Sequence, residues 1–225
     1  MTDTAFRARV RAALAAPEAG PLAARFPAPL ITAIVAGADV GELERLELAL
    51  TELIAGLAAV GVPRGRQFVL LGSLLPAPAG ESATRLRAAL GVPVLVHDSR
   101  DADFVAGASP EGAPFELDSE LREAEAVVVV GPARAGPDGL EGGAGLLCPG
   151  VASLRTRAAW EAARTAGGAP SANAFALALE RAVPADLAVL WQADGTVTAG
   201  EGRALFAALA LRPATLDPLG TRPLD

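Results

Sequence analysis

Short apolar runs alternate along this chain with longer stretches in which apolar residues recur every three or four positions. The runs that predict β-strands cover residues 31–37, 67–72, 93–98, 125–131 and 186–192. The fourth run contains four consecutive valines, and such a run is typical of a strand that is buried on both faces of a parallel sheet. Weaker patterns predict an edge strand at 114–117 and a short strand at 197–200.

The helical period predicts helices between these strands, together with an amphipathic helix at the N-terminus. The predicted helices cover residues 42–62, 81–92, 152–166, 173–182 and 201–210. Gly61 and Pro63 are expected to end the first of them, and Gly91 the second. Glu81 or Ser82 is the expected cap of the second helix.

This alternation predicts an α/β fold, with a mostly parallel Rossmann-like sheet and helices on both faces. Residues 1–212 are predicted to form a single domain, and residues 213–225 a Pro-rich tail. The segment 99–114 is a polar stretch that contains proline and glycine, and the segment 132–150 is predicted to be a long loop. Ligands in such folds usually bind beyond the carboxyl ends of the strands, so the residues that follow each strand are the candidate site.

Composition removes most catalytic side chains from consideration. The 225 residues carry a formal net charge of −7 and include one histidine, one cysteine and no lysine or tyrosine. An acidic chain without a basic run offers no electrostatic basis for binding nucleic acid or an anionic membrane. The missing lysines and tyrosines, with only one histidine, leave few acids, bases or covalent nucleophiles.

Targeting signals are not evident in the sequence. No window approaches eighteen uncharged apolar residues, so no membrane span is predicted. The N-terminal segment alternates arginines with small residues and lacks the apolar core of a signal peptide. With a single cysteine no intrachain disulfide can form, and a cytoplasmic location is the default expectation.

A glycine-rich segment follows the valine strand and precedes a predicted helix, where backbone N–H groups could hold an anion. Its glycines are Gly139, Gly142, Gly143 and Gly145. Their spacing matches neither the dinucleotide-binding nor the P-loop pattern. Asp138 and Glu141 add negative charge where a phosphate would bind. A structural crossover is therefore favoured over a ligand-binding loop.

Three other side chains invite a functional interpretation. His97 and Asp98 are adjacent, so their side chains point apart, and a strand-to-loop turn is favoured over a catalytic triad. Cys148, between Leu147 and Pro149, is typical of a small buried apolar residue. A transition-metal site is not predicted with one histidine and one cysteine. Both tryptophans are expected to be core or interface anchors.

Several ordered segments resemble the N-terminal domain of the nickel-dependent lactate racemase family, whose members carry a nickel-pincer nucleotide cofactor. The most specific match is GLEGGAGLLCPGVASLRT (139–156), which is similar to the family's glycine-rich signature. The segments 30–39, 53–76, 94–101, 112–131 and 186–209 also match in order. The resemblance covers roughly residues 13–210 and implies the fold of that domain.

Departures from the family pattern fall on its reactive positions. The resemblance places Gly145 where the enzymes carry the lysine that anchors the cofactor, and Glu161 where they carry a nickel-binding histidine. Leu74 and Ala135 stand at the positions of the two histidines that move the substrate proton. An Asp–x–x–Arg pair after the first strand is not matched at residues 37–40. With no lysine in the chain, the thioamide anchor has no candidate side chain.

The sequence therefore leaves three hypotheses. The first is a non-catalytic paralogue without cofactor or metal, a structural or regulatory subunit pairing with itself or with a full-length racemase homologue. The second is a module that binds a small carboxylate or nucleotide through Gly72, Ser73, Arg134, Gly142, Gly143 and Gly145. The third is an isomerase-like enzyme with altered chemistry, which would depend on His97, Asp138, Glu141 or Glu161.

Overall fold

The structure is a computed structural model that describes residues 2–18, 20–37, 42–72, 79–109, 112–136 and 139–202. Its helices are α1 (Asp3–Ala15), α2 (Leu22–Arg25), α3 (Leu43–Ala59), α4 (Ala79–Leu90) and α5 (Leu154–Ala182). Its strands are β1 (Thr32–Gly37), β2 (Gln67–Gly72), β3 (Val94–Val96), β4 (Phe104–Ala108), β5 (Pro114–Leu117), β6 (Ala126–Gly136), β7 (Gly139–Gly142), β8 (Leu187–Trp191) and β9 (Val197–Gly200).

The main sheet has the order β3-β2-β1-β6-β8-β9, with β7 attached to β6. Among the described strands of this sheet, the first five in this order are parallel, and only β9 and β7 run antiparallel to their neighbours. The mostly parallel α/β sheet predicted from the sequence is therefore confirmed.

The valine run of β6 shows why the sheet needs cover on both faces. Val128 and Val130 pack into a core cluster with α1, α3 and α4. Val127 and Val129 point the other way, into a cluster with α5 and the strands β4 and β5. Successive side chains of a strand alternate between the two faces, so an uninterrupted apolar run is stable only where helices cover both.

The N-terminal helix α1 is amphipathic, as its pattern predicts. Phe6, Val10 and Leu14 form its buried stripe. The ring of Phe6 meets Trp191 edge-on, with 5.8 Å between the ring centres. Trp191 is thus a core anchor, whereas Trp160 on α5 is only partly buried.

Two local predictions were wrong, and one strand was not predicted. The polar stretch 99–114 contains that strand, β4, which pairs with β5 in a separate two-stranded sheet. The predicted loop 132–150 contains the extension of β6, its hairpin partner β7 and a 3₁₀ turn, Gly143–Leu146. Helix α4 begins two residues before Glu81, so neither Glu81 nor Ser82 is its N-cap. Pairing partners distant in sequence create such strands, and short windows do not reveal them.

The two helices predicted between residues 152 and 182 are the two arms of α5. At Gly168 the backbone has φ 64° and ψ −158°, which no helix adopts and which favours glycine. Ser153 caps the first arm by accepting a hydrogen bond from Thr156 N at 3.1 Å. Most of the helix predicted at 201–210, and the tail 213–225, lie outside the described residues.

Candidate functional site

The candidate site lies between the carboxyl ends of β1 and β6. From β1 the sheet continues through β2 and β3 on one side and through β6 and β8 on the other. Such a reversal of strand order opens the crevice in which ligands of open α/β sheets bind. Ala36 of β1 is paired with Val130 of β6, and Gly37 and Gly131 follow these residues at the crevice.

Leu146 fills the space beside these two glycines. A Cβ atom at Gly37 would lie 2.6 Å from Leu146 Cδ2, and one at Gly131 would lie 2.6 Å from Leu146 Cδ1. Both distances are far below a van der Waals contact, so any larger residue would collide with the leucine. Leu146 is only 6% exposed. The described part of the crevice therefore holds an apolar side chain of the chain's own loop.

The segment after Leu146 packs on the end of β2 in the same way. A Cβ atom at Gly72 would lie 2.7 Å from the carbonyl oxygen of Gly150. Gly150 N in turn donates a hydrogen bond to Gly145 O at 3.0 Å. Gly72 and Gly145, both predicted as possible ligand contacts, are thus buried in close backbone packing. Their contact with a ligand stays a prediction.

The remaining positions predicted for this site lie farther along the chain or outside the described residues. Arg134 and Ala135 belong to β6, where they pair with Glu141 and Leu140 of β7, but the structure describes only their backbone. Gly142 ends β7, and Gly143 opens the 3₁₀ turn. Ser73, Leu74 and Asp138 lie outside the described residues, as do positions 38–40 of the missing Asp–x–x–Arg pair.

His97 follows directly after β3 and also lies at this site. Its Nδ1 lies 2.7 Å from Asp118 Oδ2, and its Nε2 lies 3.0 Å from the carbonyl oxygen of Ala152. The imidazole side chain is 1% exposed. The predicted turn is confirmed for Asp98, whose Oδ1 accepts a hydrogen bond from Arg100 N at 2.9 Å. His97, however, reaches across to two distant segments.

Asp118 and Arg157 are the residues of this region that the sequence pattern did not reveal. Asp118 follows β5, 21 residues after His97, and no motif spacing connects the two. Arg157 donates hydrogen bonds from Nε to Ala152 O and from Nη2 to Gly150 O, both at 3.0 Å. These arginine contacts hold the backbone that packs on Gly72. An arginine one turn inside a predicted helix carries no signal of such a role.

The thiol of Cys148 is buried among apolar side chains, as predicted. It is fully buried, and burial raises its pKa to about 12, with the nearby Arg157 guanidinium opposing the rise. Burial likewise lowers the pKa of Arg157. A thiol with so high a pKa is almost entirely protonated at neutral pH, and only the thiolate is a strong nucleophile. Cys148 is therefore a packing residue.

Glu161 lies on the outer surface of the first arm of α5. Both of its carboxylate oxygens accept hydrogen bonds from Arg164. This pairing lowers the pKa of Glu161, so the carboxyl group is ionised at neutral pH. Arg164 also lies over the ring of Trp160, 6.0 Å from its centre. A solvent-facing carboxylate held by arginine is poorly suited to general acid catalysis.

A separate groove of about 450 Å³ lies at the bend of α5. Small side chains dominate its described lining, which includes Ser109, Ala159, Ala163, Ala166, Ser171 and Phe175. None of the predicted site residues belongs to that described lining. The groove is therefore distinct from the crevice between β1 and β6.

The described residues do not fit the nickel-pincer nucleotide that the resemblance implies. Gly145 supplies no amine, Leu146 fills the space beside Gly37 and Gly131, and Glu161 is paired with Arg164. Across the described ranges, no three His, Cys, Asp or Glu side chains converge as a possible metal site. Within those ranges, too, none of the helices has the length and apolarity to cross a bilayer.

Comparison with known proteins finds similarity in structure but no match in sequence. No family model matches the chain, and neither does any curated protein. The structure is similar to that of the lactate racemase apoprotein from Thermoanaerobacterium thermosaccharolyticum, with a TM-score of 0.72 and 16% sequence identity. The match covers 91% of this chain and 54% of that one, so the chain spans about half the length of the racemase. The chain therefore has a lactate-racemase-like α/β fold.

Proposed function

We propose that this chain is a non-catalytic relative of the lactate racemase N-terminal domain that acts as a structural or regulatory subunit. The observation that carries the proposal is the position of Leu146 between Gly37 and Gly131. A ligand that entered the described part of this crevice would have to displace a buried leucine, at a cost of about 2–3 kcal/mol of lost burial.

The chemistry of the neighbouring residues supports the same proposal. Racemisation of a 2-hydroxy acid requires groups that remove and return a proton on opposite faces of one carbon. The only histidine is His97, whose ring is buried and engaged by Asp118 and Ala152. The only cysteine is a buried thiol with a raised pKa. Neither side chain is free to act as a base toward a substrate.

The partner in this proposal is a second copy of the chain or a full-length racemase homologue. The structural relative is about twice as long as the matched region, and its remaining half has no counterpart in this match. A subunit of this kind would contribute fold and surface rather than reactive groups.

The proposal is tested on the protein purified from its native host. Intact mass and metal analysis are expected to reveal no stoichiometric nickel or nucleotide. Either lactate enantiomer is expected to remain unchanged after incubation with the protein. Light scattering after size exclusion is expected to detect a homo-oligomer or a complex with a full-length homologue. A covalently bound pincer cofactor, or interconversion of the enantiomers, would overturn the proposal, as would a monomer that binds carboxylates or nucleotides in a thermal-shift panel.

A further inference from the structure

We propose that the open edge of β4 is the surface through which a second copy of this chain pairs, strand against strand. The inference rests on the proposed function and deepens it, because a structural subunit needs a surface for assembly. Strand β4 (Phe104–Ala108) belongs to a two-stranded sheet, in which its neighbour is β5. On its other edge, no strand lies beside it in the described part of the chain.

The backbone of β4 presents hydrogen-bonding groups along this open edge. Ser109 N donates to Ala113 O at 2.7 Å, which makes these two residues a bonded pair of the hairpin. Ala108 is opposite Pro114, which has no N–H, so the N–H and C=O of Ala108 point away from β5. A register shift leaves Ala106 without a partner in β5. Positions 106 and 108 have the two-residue spacing at which an edge offers bonds to a new strand.

Packing holds β4 in place behind this edge. Phe104 and Ala106 pack against the core cluster that includes α5. A Cβ atom at Gly107 would lie 2.9 Å from Ala182 Cβ, so the strand lies directly on that helix. The guanidinium of Arg122 lies over the ring of Phe104, 5.7 Å from its centre. The edge is thus already formed in the single chain, and a fixed surface loses little conformational entropy when it binds.

Val105 adds an apolar side chain to the same edge. It is 60% exposed, the highest value among the large apolar side chains that the structure describes. A strand laid along β4 would cover part of this side chain and remove apolar surface from water. Burial of apolar surface is the main favourable contribution to most associations between proteins.

The other strand edges of the two sheets are covered by the chain itself. Arg87 Nε donates to Val94 O on β3 at 2.8 Å, and Glu18 N donates to Ala199 O on β9 at 2.9 Å. The outer edge of β5 is bonded to the segment 151–153. Proteins usually cover strand edges in this way because an open edge invites pairing with another chain. The uncovered edge of β4 therefore indicates a pairing surface.

The charges around β4 favour a second copy in the antiparallel orientation. The strand FVAGA is uncharged, so two copies can pair there without like-charge repulsion although each chain carries a net charge of −7. Asp103 precedes the strand and Ser109 follows it. In an antiparallel pair, Asp103 of each chain lies near the uncharged end of the other strand. A parallel pair would instead bring the two Asp103 carboxylates together.

This pairing also closes. Two identical strands related by a two-fold axis use each open edge once. The two hairpins then form one four-stranded sheet in the order β5-β4-β4-β5, and its outer edges are those already bonded to the segment 151–153. A two-stranded sheet is weak by itself, and a sheet of more strands is more stable. The result is a dimer rather than an open chain of subunits.

The first test is the oligomeric state of the whole chain, measured by light scattering after size exclusion. The wild-type protein is expected to have twice the mass of one chain. Val105→Lys is expected to have the mass of one chain, because an edge lysine opposes pairing. Val96→Lys is the matched control and is expected to remain a dimer, since Val96 is 39% exposed but lies on β3, whose edge Arg87 covers. A dimeric Val105→Lys protein would contradict the proposed surface.

Hydrogen exchange of the wild-type protein is the second test and needs no variant. The amides of residues 106 and 108 are expected to exchange about fivefold more slowly in concentrated than in dilute protein, as expected for one hydrogen bond gained by each. The amides of β2, inside the main sheet, are expected to exchange at the same rate in both. Equal rates for residues 106 and 108 at the two concentrations would overturn the pairing.

The outcomes separate this inference from the proposed function. A wild-type chain that is monomeric by itself, but bound to a full-length racemase homologue and without cofactor, would overturn the β4 pairing and leave the proposed function standing. A covalently bound pincer cofactor would overturn the proposed function, and the pairing that rests on it, even in a dimer.

Discussion

Leu146 and Gly131 meet so closely that a single Cβ atom at position 131 would lie 2.6 Å from Leu146 Cδ1. The same leucine lies 2.6 Å from the corresponding point at Gly37. A side chain at either of these glycines, at the ends of β1 and β6, would therefore have to displace Leu146. Four experiments follow from this packing and from two buried ionisable side chains, Cys148 and Glu52.

Gly131→Ala is expected to destabilise the protein by about 1–3 kcal/mol, because the added methyl group must displace Leu146 or the strand. Chemical denaturation monitored by tryptophan fluorescence measures the change. Gly65→Ala is the matched control, since nothing lies within 4 Å of a Cβ atom there and the residue is exposed. Equal stabilities of the two variants would contradict the proposed contact.

Leu146→Ala is expected to cost about 2–5 kcal/mol, the usual cost of removing a buried leucine side chain. Leu154→Ala is its control, because Leu154 is 57% exposed and its loss should change stability by no more than about 0.5 kcal/mol. The Gly131→Ala and Leu146→Ala changes should also be non-additive, since the smaller side chain makes room for the new methyl group. A double variant whose cost equals the sum would show that the two sites are independent.

The wild-type protein is expected to lose stability at alkaline pH because of Cys148, and the Cys148→Ala variant is expected to lack this loss. Burial raises the pKa of the thiol from 9.0 to about 12, so the folded protein holds a proton that the unfolded chain releases in this range. Stability should therefore fall as pH rises from 9.0 towards 12, by about 1.4 kcal/mol per pH unit. With no lysine or tyrosine in the chain, few other groups titrate there. Denaturant midpoints over this range measure the slope, and an unchanged slope in the alanine variant would contradict the assignment.

Glu52→Gln is expected to destabilise the contact between α1 and α3, because an amide replaces the carboxylate that accepts two hydrogen bonds from Arg11. Glu52 is 8% exposed and accepts bonds from Arg11 Nε at 2.6 Å and Nη2 at 2.9 Å, and these bonds raise the pKa of Arg11. Glu47→Gln is the control, since its pair with Arg85 is more exposed and surface pairs contribute little. Thermal melting should show a larger loss of stability for Glu52→Gln than for Glu47→Gln. Equal losses in the two variants would contradict the prediction.

Glu52 also illustrates a limit of reading a helix surface from its sequence. Charged side chains on one face of a helix usually face solvent, and Glu47 of α3 does so in part. Glu52 does not, because α1 packs over it and supplies Arg11. The helical period indicates which residues share a face, but not which neighbouring element covers that face.

The order and types of most strands and helices are recoverable from the hydrophobic pattern alone. The valine run of β6 predicts a strand covered on both faces, and the stripe of Phe6, Val10 and Leu14 predicts the buried side of α1. Cys148 is likewise recognisable as a buried packing residue. These features depend on side-chain periodicity and on apolar burial, which a short stretch of sequence already contains.

The candidate site depended on tertiary contacts that no local pattern contains. The sequence marks the glycines at the strand ends, yet only the fold shows that Leu146 fills the space that Gly37 and Gly131 leave. It marks the single histidine, yet only the fold brings Asp118 and Ala152 to its ring. Periodicity reports on residues that are neighbours within one element. Hydrogen bonds and close contacts between segments far apart in the chain arise only when the elements pack, so the chemistry of the site becomes visible only in the folded protein.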